Sequence, residues 1–265
     1  MSGHIYQHYQ PEERIFVDRV LDWFEQVEGN YSVVSTYFLN PREQEILQTL
    51  GNKRELQIFL SSDMMTGETE MVKAVLAPDF YELDEDDFDM ALLEIRYASK
   101  FHELKHAQIL GTLLGQTGIK REQIGDVLLA DKRAQVFVSK KMVTAISQSV
   151  TKIGRATVQF KEVAWSEKLE IEEQATRKVL LLSQLRLDKI ISESFNIPRN
   201  IAANMIESSK VKVNFRELSK KDFQLKAGDL ISLRGYGRIK ILAMLGLTKK
   251  DKQKVEVDII KNKKR

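Results

Sequence analysis

Residues 186–229 contain, in order, Arg186-Leu187-Asp188, Arg199, Val211-Lys212-Val213-Asn214 and Gly228-Asp229, and these pieces decide the fold of the C-terminal part of the chain. Arg186 and Arg199 each open a short segment with helical apolar spacing. Asn214 and Gly228-Asp229 mark the turns of a compact strand pair. The order of helices and strands predicts an RNA-binding module with one basic face.

The charge distribution supports this prediction. Residues 183–265 carry 20 Lys and Arg against 9 Asp and Glu, a net charge of +11, whereas residues 1–182 carry 21 against 29, a net charge of −8. A basic segment joined to an acidic one is typical of a polyanion-binding module carried by a body with another role. We expect the acidic body to contact protein or to keep clear of the RNA.

Composition limits the class of protein. The 265 residues are enough for two or three domains, and a content of 43% hydrophobic and 30% charged residues is ordinary for a folded chain. The sequence contains no apolar run of membrane-spanning length and no signal-peptide pattern at its start. The absence of cysteine excludes disulfides and thiolate chemistry. We expect a cytoplasmic protein with no membrane partner.

The first module, residues 1–80, is predicted to be α/β. Apolar spacing predicts a helix over Glu12–Glu28, with Ile15 and Phe16 on its buried face, together with Val20, Phe24 and Val27. A second helix follows Asn40-Pro41, because proline suits the first helical position. Leu56–Leu60 and Met71–Leu76 are predicted to form a strand pair.

The second module, residues 81–180, is predicted to be an RRM-like α+β sheet without the aromatic strand signature of RRM domains. We expect strands at 92–97, 127–130, 135–138 and 157–163 and helices at 106–114 and 142–153. The acidic stretch Glu82–Asp89 is interpreted as a solvated linker, because it lacks the glycine and terminal glutamate of a calcium loop.

One motif in this module points to a different function. His102-Glu103-Leu104-Lys105-His106 matches the zinc-peptidase pattern, in which two histidines one helical turn apart bind zinc and the glutamate is the general base. Glu122 or Glu162 could be a third ligand. The other interpretation is a surface turn that enters a helix, and on that interpretation the protein has no metal or cofactor.

The sequence does not match other common enzyme motifs. Gly235-Tyr236-Gly237-Arg238 lacks the third glycine of a dinucleotide loop, and the chain has neither a phosphate-binding Gly-Lys-Ser/Thr loop nor a nucleophile elbow. An RNA-modifying enzyme, a pseudouridine synthase or a methyltransferase, stays an alternative because similar RNA-binding domains are appended to such enzymes. We expect no enzymatic activity.

Residues 186–234 resemble the alpha-L, or S-four-type, RNA-binding domain. The matching residues are Arg186-Leu187-Asp188, Arg199, Ala202, Met205-Ile206, Val211-Lys212-Val213-Asn214 and Gly228-Asp229-Leu230-Ile231. Two positions depart from the family. Pro198 replaces a helix-capping serine, so that Asn196 or the rigid entry of the proline must start the helix. Ser209 replaces a glycine before the strand, so that the turn there needs either a strained φ or a different geometry.

The expected binding surface consists of basic residues near these helix starts. Arg186 and Arg199 are joined by Lys189, Lys210 and Lys212 in a surface that follows phosphates, and the helix amino ends also favour phosphate oxygens. Asp188 either orients an arginine or caps its helix. We place this domain at residues 181–240, followed by a basic C-terminal extension at 241–265.

The layout of the whole chain is similar to that of the YlmH family of bacterial RNA-binding proteins, through the acidic two-part body, Arg234-Gly235-Tyr236-Gly237-Arg238 and the lysine-rich end. The resemblance implies binding to the large ribosomal subunit, contacts with rRNA and tRNA, and a role in rescuing stalled subunits. It also implies that Arg186 and Arg199 contact RNA, and we add Arg234 and Arg238 to the expected site. DNA specificity is not expected, and a separate role in cell division is left open.

Overall fold

The computed structural model describes residues 6–7, 9–171 and 175–261 and divides the chain into two compact units, residues 1–171 and 172–265. Both units contain helices packed on antiparallel sheets, which confirms the predicted α+β class. No helix in the described ranges is long and apolar enough to cross a membrane.

The first half of unit 1 is a small sheet covered by two helices. Its elements are α1 (Arg14–Asn30), β1 (Val34–Ser35), α2 (Pro41–Gly51), β2 (Gln57–Leu60) and β3 (Ala74–Ala77), with the strand order β1-β3-β2. Asn40 accepts hydrogen bonds from the backbone N–H groups of Arg42 and Glu43 and so starts α2, as the Asn40-Pro41 signal predicts. The predicted strand pair is confirmed as β2 and β3.

Helix α1 buries most of its predicted face. Phe16, Val20, Phe24 and Val27 lie in the core, but Ile15 is 71% exposed, so that its predicted burial is wrong. Ile15 precedes Phe16 directly, and neighbouring helical residues point about 100° apart, which turns Ile15 away from the core.

The second half of unit 1 is a five-stranded sheet with two helices. Its elements are β4 (Met90–Tyr97), α3 (His106–Thr117), β5 (Ile124–Ala130), β6 (Arg133–Ser139), α4 (Val143–Ser149), β7 (Lys152–Ile153) and β8 (Ala156–Val163). The strand order is β5-β6-β4-β8-β7, with every pairing antiparallel. Without the short β7, this is the βαββαβ arrangement of the ferredoxin-like fold, and the predicted RRM-like outline is confirmed.

The two halves of unit 1 share a hydrophobic core. Leu93 and Ile95 of β4 belong to the cluster under α3 and α4, whereas Leu92 belongs to a second cluster with Phe38 and Val75 of the first half. Both faces of β4 are therefore buried, and its sequence is a nearly continuous apolar run.

The acidic stretch between the halves is more than a linker. Glu85–Phe88 forms a 3-10 turn, and Phe88 is fully buried in the shared cluster. Glu82, Asp84, Glu85 and Asp86 are exposed, and the carboxylate of Asp86 lies 2.8 Å from the ammonium of Lys140, whereas Asp87 and Asp89 are half-buried. The expected solvated linker is thus correct for the four exposed acidic residues and wrong for Phe88.

Unit 2 is a six-stranded antiparallel sheet with two helices on one face. Its elements are β9 (Ala175–Leu182), α5 (Leu187–Phe195), α6 (Arg199–Glu207), β10 (Val211–Val213), β11 (Arg216–Glu217), β12 (Leu230–Leu233), β13 (Gly237–Leu247) and β14 (Gln253–Lys261), in the order β11-β10-β12-β13-β14-β9. Residues 241–261, expected to be a basic extension, form most of two strands, and β9 pairs with β14. The remaining lysine-rich end, residues 262–265, lies outside the described residues.

The two predicted turn markers of this unit contact each other. The Asn214 amide donates to the Asp229 carboxylate at 2.9 Å, and the Leu230 N–H donates to the Asn214 side-chain oxygen at 2.9 Å. Asn214 and Gly228 both have positive φ, as these turns require. The turns hold β10 and β12 together beneath the two helices.

Candidate nucleic-acid interface

The start of helix α5 is built by Arg186 and by a segment that follows β11. Arg186 is the N-cap residue, and no side chain caps the helix. The N–H groups of Leu187 and Asp188 instead donate to the carbonyls of Phe223 and Lys221, at 3.0 and 3.1 Å. These N–H groups are therefore occupied, and the expectation that this helix end offers them to phosphate is wrong. At α5, side chains remain the available donors.

Asp188 joins the two predicted arginines. Its carboxylate accepts hydrogen bonds from Nε and Nη2 of Arg186, at 3.1 and 3.2 Å, and from Nε of Arg199 at 2.9 Å. Nη2 of Arg199 forms an ion pair with the same oxygen, Oδ2, at 2.8 Å. The Asp188 side chain is 3% exposed, against 24% for Arg186 and 50% for Arg199. The carboxylate thus lies beneath two guanidinium groups whose remaining N–H groups can reach solvent, which confirms that Asp188 orients an arginine.

The electrostatics of this arginine pair, meaning Arg186 and Arg199 on Asp188, favour an anion. Burial opposes ionisation of Asp188, but the hydrogen bonds and positive charges of the two arginines outweigh it and hold the pKa of Asp188 below its ordinary value. The three side chains together carry a charge of +1. Each guanidinium still presents unused N–H groups in a planar fork, the geometry that suits phosphate oxygens.

Helix α6 begins without a side-chain cap. Pro198 is the N-cap residue with φ −57°, whereas Asn196 ends the preceding helix in the left-handed conformation. Of the two predicted alternatives, the rigid entry of the proline is correct and capping by Asn196 is wrong. The short connection brings Arg199, the first residue of α6, over Asp188.

Ser209 confirms the second departure from the family pattern. Its φ is +53°, in the region that a glycine would occupy without strain. The turn leads from the end of α6 directly to Lys210, which is exposed. The carbonyl of Lys210 accepts from the backbone N–H of Arg234 at 2.9 Å, so that Lys210 and the exposed Arg234 are neighbours at the end of β12.

Lys212 and Arg238 lie on the sheet face opposite the helices. Lys212 pairs with Ser232, and Ser232 pairs with Arg238, so that the three residues form a row across β10, β12 and β13. Val211 and Val213, which flank Lys212, are buried under the helices. Side chains alternate along a strand, and Lys212 therefore points away from the core.

The structure places the predicted residues in three groups rather than on one continuous surface. Arg186 and Arg199 share Asp188, and Lys189 on α5 donates to Ser183. Lys210 and Arg234 lie at the other end of α6, about 12 Å along a nine-residue helix. The third group is Lys212 and Arg238 on the sheet. Lys240, two residues after Arg238 and on the same face, was missed, although the period of two along a strand could have found it.

The zinc-peptidase pattern does not lie on one helix. His102 belongs to the irregular segment before α3, and His106 is the first residue of that helix. In the described ranges, no three His, Asp or Glu side chains form a group that could hold a metal ion. His4 and His8 both lie outside those ranges. The geometry matches the predicted alternative, a turn that enters a helix.

The RRM-like sheet has little room for bases on its usual binding face. In RRM domains the face opposite the helices stacks bases on aromatic side chains. Here Leu92, Leu128 and Phe137 on that face are buried with Phe38 and Trp165 in the shared cluster. Part of the face is thus covered by the chain itself.

Comparison with known proteins gives the family. The chain matches the family models described as "YlmH, N-terminal" over residues 12–79, "Putative RNA-binding domain in YlmH" over residues 84–167 and "S4 domain" over residues 185–231. "Ribosome-associated protein quality control protein P2" of Bacillus subtilis (strain 168) is 30% identical over 257 residues, which are 95% of this chain and 96% of the relative. The chain belongs to the YlmH family.

A solved structure supports the assignment of the fold. "Cell division protein ylmH from Streptococcus pneumoniae" is 34% identical and aligns with a TM-score of 0.55, covering 62% of this chain and 99% of that chain. The match to the S4 domain confirms the alpha-L resemblance of the C-terminal residues. This YlmH-family chain therefore carries RNA-binding domains, as the basic C-terminal segment predicts.

Proposed function

We propose that this chain is a non-enzymatic cytoplasmic protein that binds rRNA and tRNA on the large ribosomal subunit and acts in the quality control of stalled translation. The observation that carries the proposal is the arginine pair, two guanidinium groups fixed by one buried carboxylate at the starts of adjacent helices. The name of the Bacillus subtilis relative, which aligns over almost the whole of both chains, supports the ribosomal role.

The arginine pair is suited to holding structured RNA by its backbone. Guanidinium contacts to phosphate fix the position of an RNA without reading its sequence. Arg186 is held by two hydrogen bonds to Asp188, and Arg199 by one hydrogen bond and an ion pair, so that little side-chain conformational entropy is lost when RNA binds. Lys189 adds a cation to this group on α5, and Lys210 and Arg234 form a separate cationic group at the other end of α6.

The row of Lys212 and Arg238 faces another direction and supplies a second contact. A large RNA, such as a ribosomal subunit with a bound tRNA, presents phosphates on more than one side of a small domain. We propose that the helix starts contact one RNA segment and the sheet face contacts another. The covered face of the RRM-like sheet supports this assignment of the main RNA contacts to unit 2.

The test is a salt titration of RNA binding. Fluorescence anisotropy with labelled tRNA and with large-subunit rRNA compares the wild type with Arg186→Ala/Arg199→Ala. The matched control is Arg133→Ala/Arg177→Ala, which removes two arginines that also form bidentate pairs with carboxylates, Glu94 and Asp258.

We expect the site variant to bind more weakly and to lose about 0.7 in the slope of log K against log salt for each lost single-strand phosphate contact, or about 0.9 for duplex. The control variant Arg133→Ala/Arg177→Ala loses the same net charge but should keep most of the wild-type slope of log K against log salt. Equal slopes in the two variants would show that the arginine pair makes no specific phosphate contact.

A further inference from the structure

Unit 1 contains a polar cleft that the RNA-binding surface of unit 2 does not include. Its volume is about 300 Å³, and residues from both halves of the unit line it. The first half contributes Arg19 and Trp23 from α1, Tyr37, and Lys73 at the start of β3. The second half contributes Gln123 and Lys141. No feature of the sequence brings these positions together.

The cleft is locally basic, although residues 1–182 are acidic overall. Lys73 is 2% exposed, and its ammonium lies 3.0 Å from the carbonyl and 3.5 Å from the carboxylate of Asp89. Burial lowers the pKa of Lys73, and the nearby charge of Lys141 lowers it further, while Asp89 raises it. Arg19 lies 3.9 Å from Glu122. Three cations and one carboxylate, Asp89, line the cleft, and with Glu122 beside Arg19 the local net charge is +1, which favours an entering anion.

The cleft also offers an aromatic wall. The rings of Trp23 and Tyr37 have centroids 5.6 Å apart, and the Arg19 guanidinium lies over the Tyr37 ring at 5.1 Å. Burial raises the pKa of Tyr37 to about 12, so that its hydroxyl stays protonated at neutral pH and can donate. The two rings meet edge to face and the guanidinium covers one face of Tyr37, so Trp23 and the plane of Arg19 are the surfaces on which a nucleobase can stack. Such flat surfaces stack on nucleobases without selecting one base.

Gln123 provides a free acceptor. Its side-chain oxygen is buried, and in the described part of the chain it has no hydrogen-bond partner. Buried polar atoms are nearly always hydrogen-bonded, and an exception calls for a partner that is not in the structure. Gln123 lines the cleft but its oxygen is covered, so a ligand with a hydroxyl or amino donor would satisfy this oxygen once the side chain turns toward the cleft.

We propose that this cleft binds one nucleotide. The phosphate contacts Lys141, Lys73 and Arg19. The base lies against Trp23 and the guanidinium plane of Arg19, and a ribose hydroxyl or base amine donates to Gln123 once that side chain turns toward the cleft. The volume is at the lower end of the range of about 300–1,000 Å³ for small-ligand sites, which leaves room for one nucleotide and not for several. The nucleotide is either free or part of an RNA strand, and both present the same phosphate and base.

The test is isothermal titration calorimetry of the full chain with UMP, AMP, inorganic phosphate and uridine. We expect both nucleotides to bind more tightly than phosphate or uridine alone. Lys141→Ala should weaken UMP binding by about two- to fivefold, as expected for an exposed charged contact. The matched control is Lys140→Ala, because Lys140 is the neighbouring residue, is paired with Asp86 and does not line the cleft.

Tryptophan fluorescence localises the ligand. We expect UMP to change the emission of the wild type and not that of Trp23→Phe, which keeps Trp165. Repeating the titration with a short oligouridine in the Arg186→Ala/Arg199→Ala background distinguishes a free nucleotide from an RNA strand and is independent of the RNA-binding surface of unit 2. The proposal is overturned if neither nucleotide nor oligouridine binds, or if Lys140→Ala and Lys141→Ala weaken binding equally.

Discussion

The substitution Asp188→Asn tests whether the arginine pair binds RNA through its positive charge alone or also through the fixed position of its side chains. Asp188→Asn keeps the shape of the side chain and removes its charge, which raises the local charge from +1 to +2. The asparagine has one oxygen, and it cannot accept the bonds that the two carboxylate oxygens now accept from Arg186 and Arg199. If charge alone matters, the variant binds RNA more tightly. If position matters, it binds more weakly.

The magnitudes follow from the contacts. Hydrogen bonds to charged groups contribute about 1.5–3 kcal/mol, and Arg199, which is 50% exposed, can regain water, so that we expect a loss of ~2 kcal/mol in the free energy of unfolding. For RNA binding, a slope change of about 0.7 per contact over a fourfold change in salt corresponds to a factor of about 2.6. If the phosphate contacts of both arginines are lost, the decrease in affinity between 50 and 200 mM salt becomes about sevenfold smaller than in the wild type.

The assay is fluorescence anisotropy with labelled tRNA at several salt concentrations, after circular dichroism has shown that the variant is folded. Asp258→Asn is the control, because it removes the same charge from another bidentate pair, with Arg177 at 2.9 Å. We expect the control to bind slightly more tightly and Asp188→Asn to bind more weakly with a flatter salt dependence. Tighter binding and a steeper slope for Asp188→Asn would refute the positioning role.

Three further predictions concern stability. Ser209→Gly should raise the free energy of unfolding by about 0.5–1 kcal/mol, because Ser209 has a φ of +53° that glycine adopts without strain. Ser208→Gly is the control and should lower the free energy of unfolding, because Ser208 has a φ of −93°. Urea denaturation measures both. Burial raises the pKa of Asp126 from 3.8 to about 6, so that the folded state holds a proton more tightly than the unfolded state does. The free energy of unfolding therefore falls by about 2 kcal/mol as pH rises from 4 to 7, and Asp126→Asn should flatten this dependence in denaturation series across that range. Gly237→Ala should lower the free energy of unfolding by at least ~2 kcal/mol, because the added Cβ would lie 2.0 Å from a backbone oxygen. Gly235→Ala, where the added Cβ meets no atom, should lower it by about 1 kcal/mol.

Local patterns predicted most elements of both units. The Asn40-Pro41 signal and the apolar spacing of α1 placed the first helices correctly. The turn markers Asn214 and Gly228-Asp229 placed β10 and β12. These signals succeed because the residues that cause the structure are neighbours in the chain. The alternation of buried Val255, Val257 and Ile259 also indicates the strand β14, whereas the prediction of a basic extension rested on the lysines around these residues.

Contacts between distant residues could not be predicted in the same way. Phe88 is buried because Phe38 and Trp165 pack around it, whereas its acidic neighbours predict an exposed linker. The N–H groups at the start of α5 are occupied by carbonyls of Lys221 and Phe223, more than thirty residues later. The same limit applied to the site. The residue types were identified from the motif, whereas their division into three groups depends on the register of the sheet.

Co-sedimentation with purified large ribosomal subunits at moderate salt tests the central claim most directly. The wild type and the control Arg133→Ala/Arg177→Ala should pellet with the subunits, and Arg186→Ala/Arg199→Ala should stay in the supernatant. Equal sedimentation of all three proteins, or of none, would contradict the claim that the arginine pair holds this chain on the large subunit.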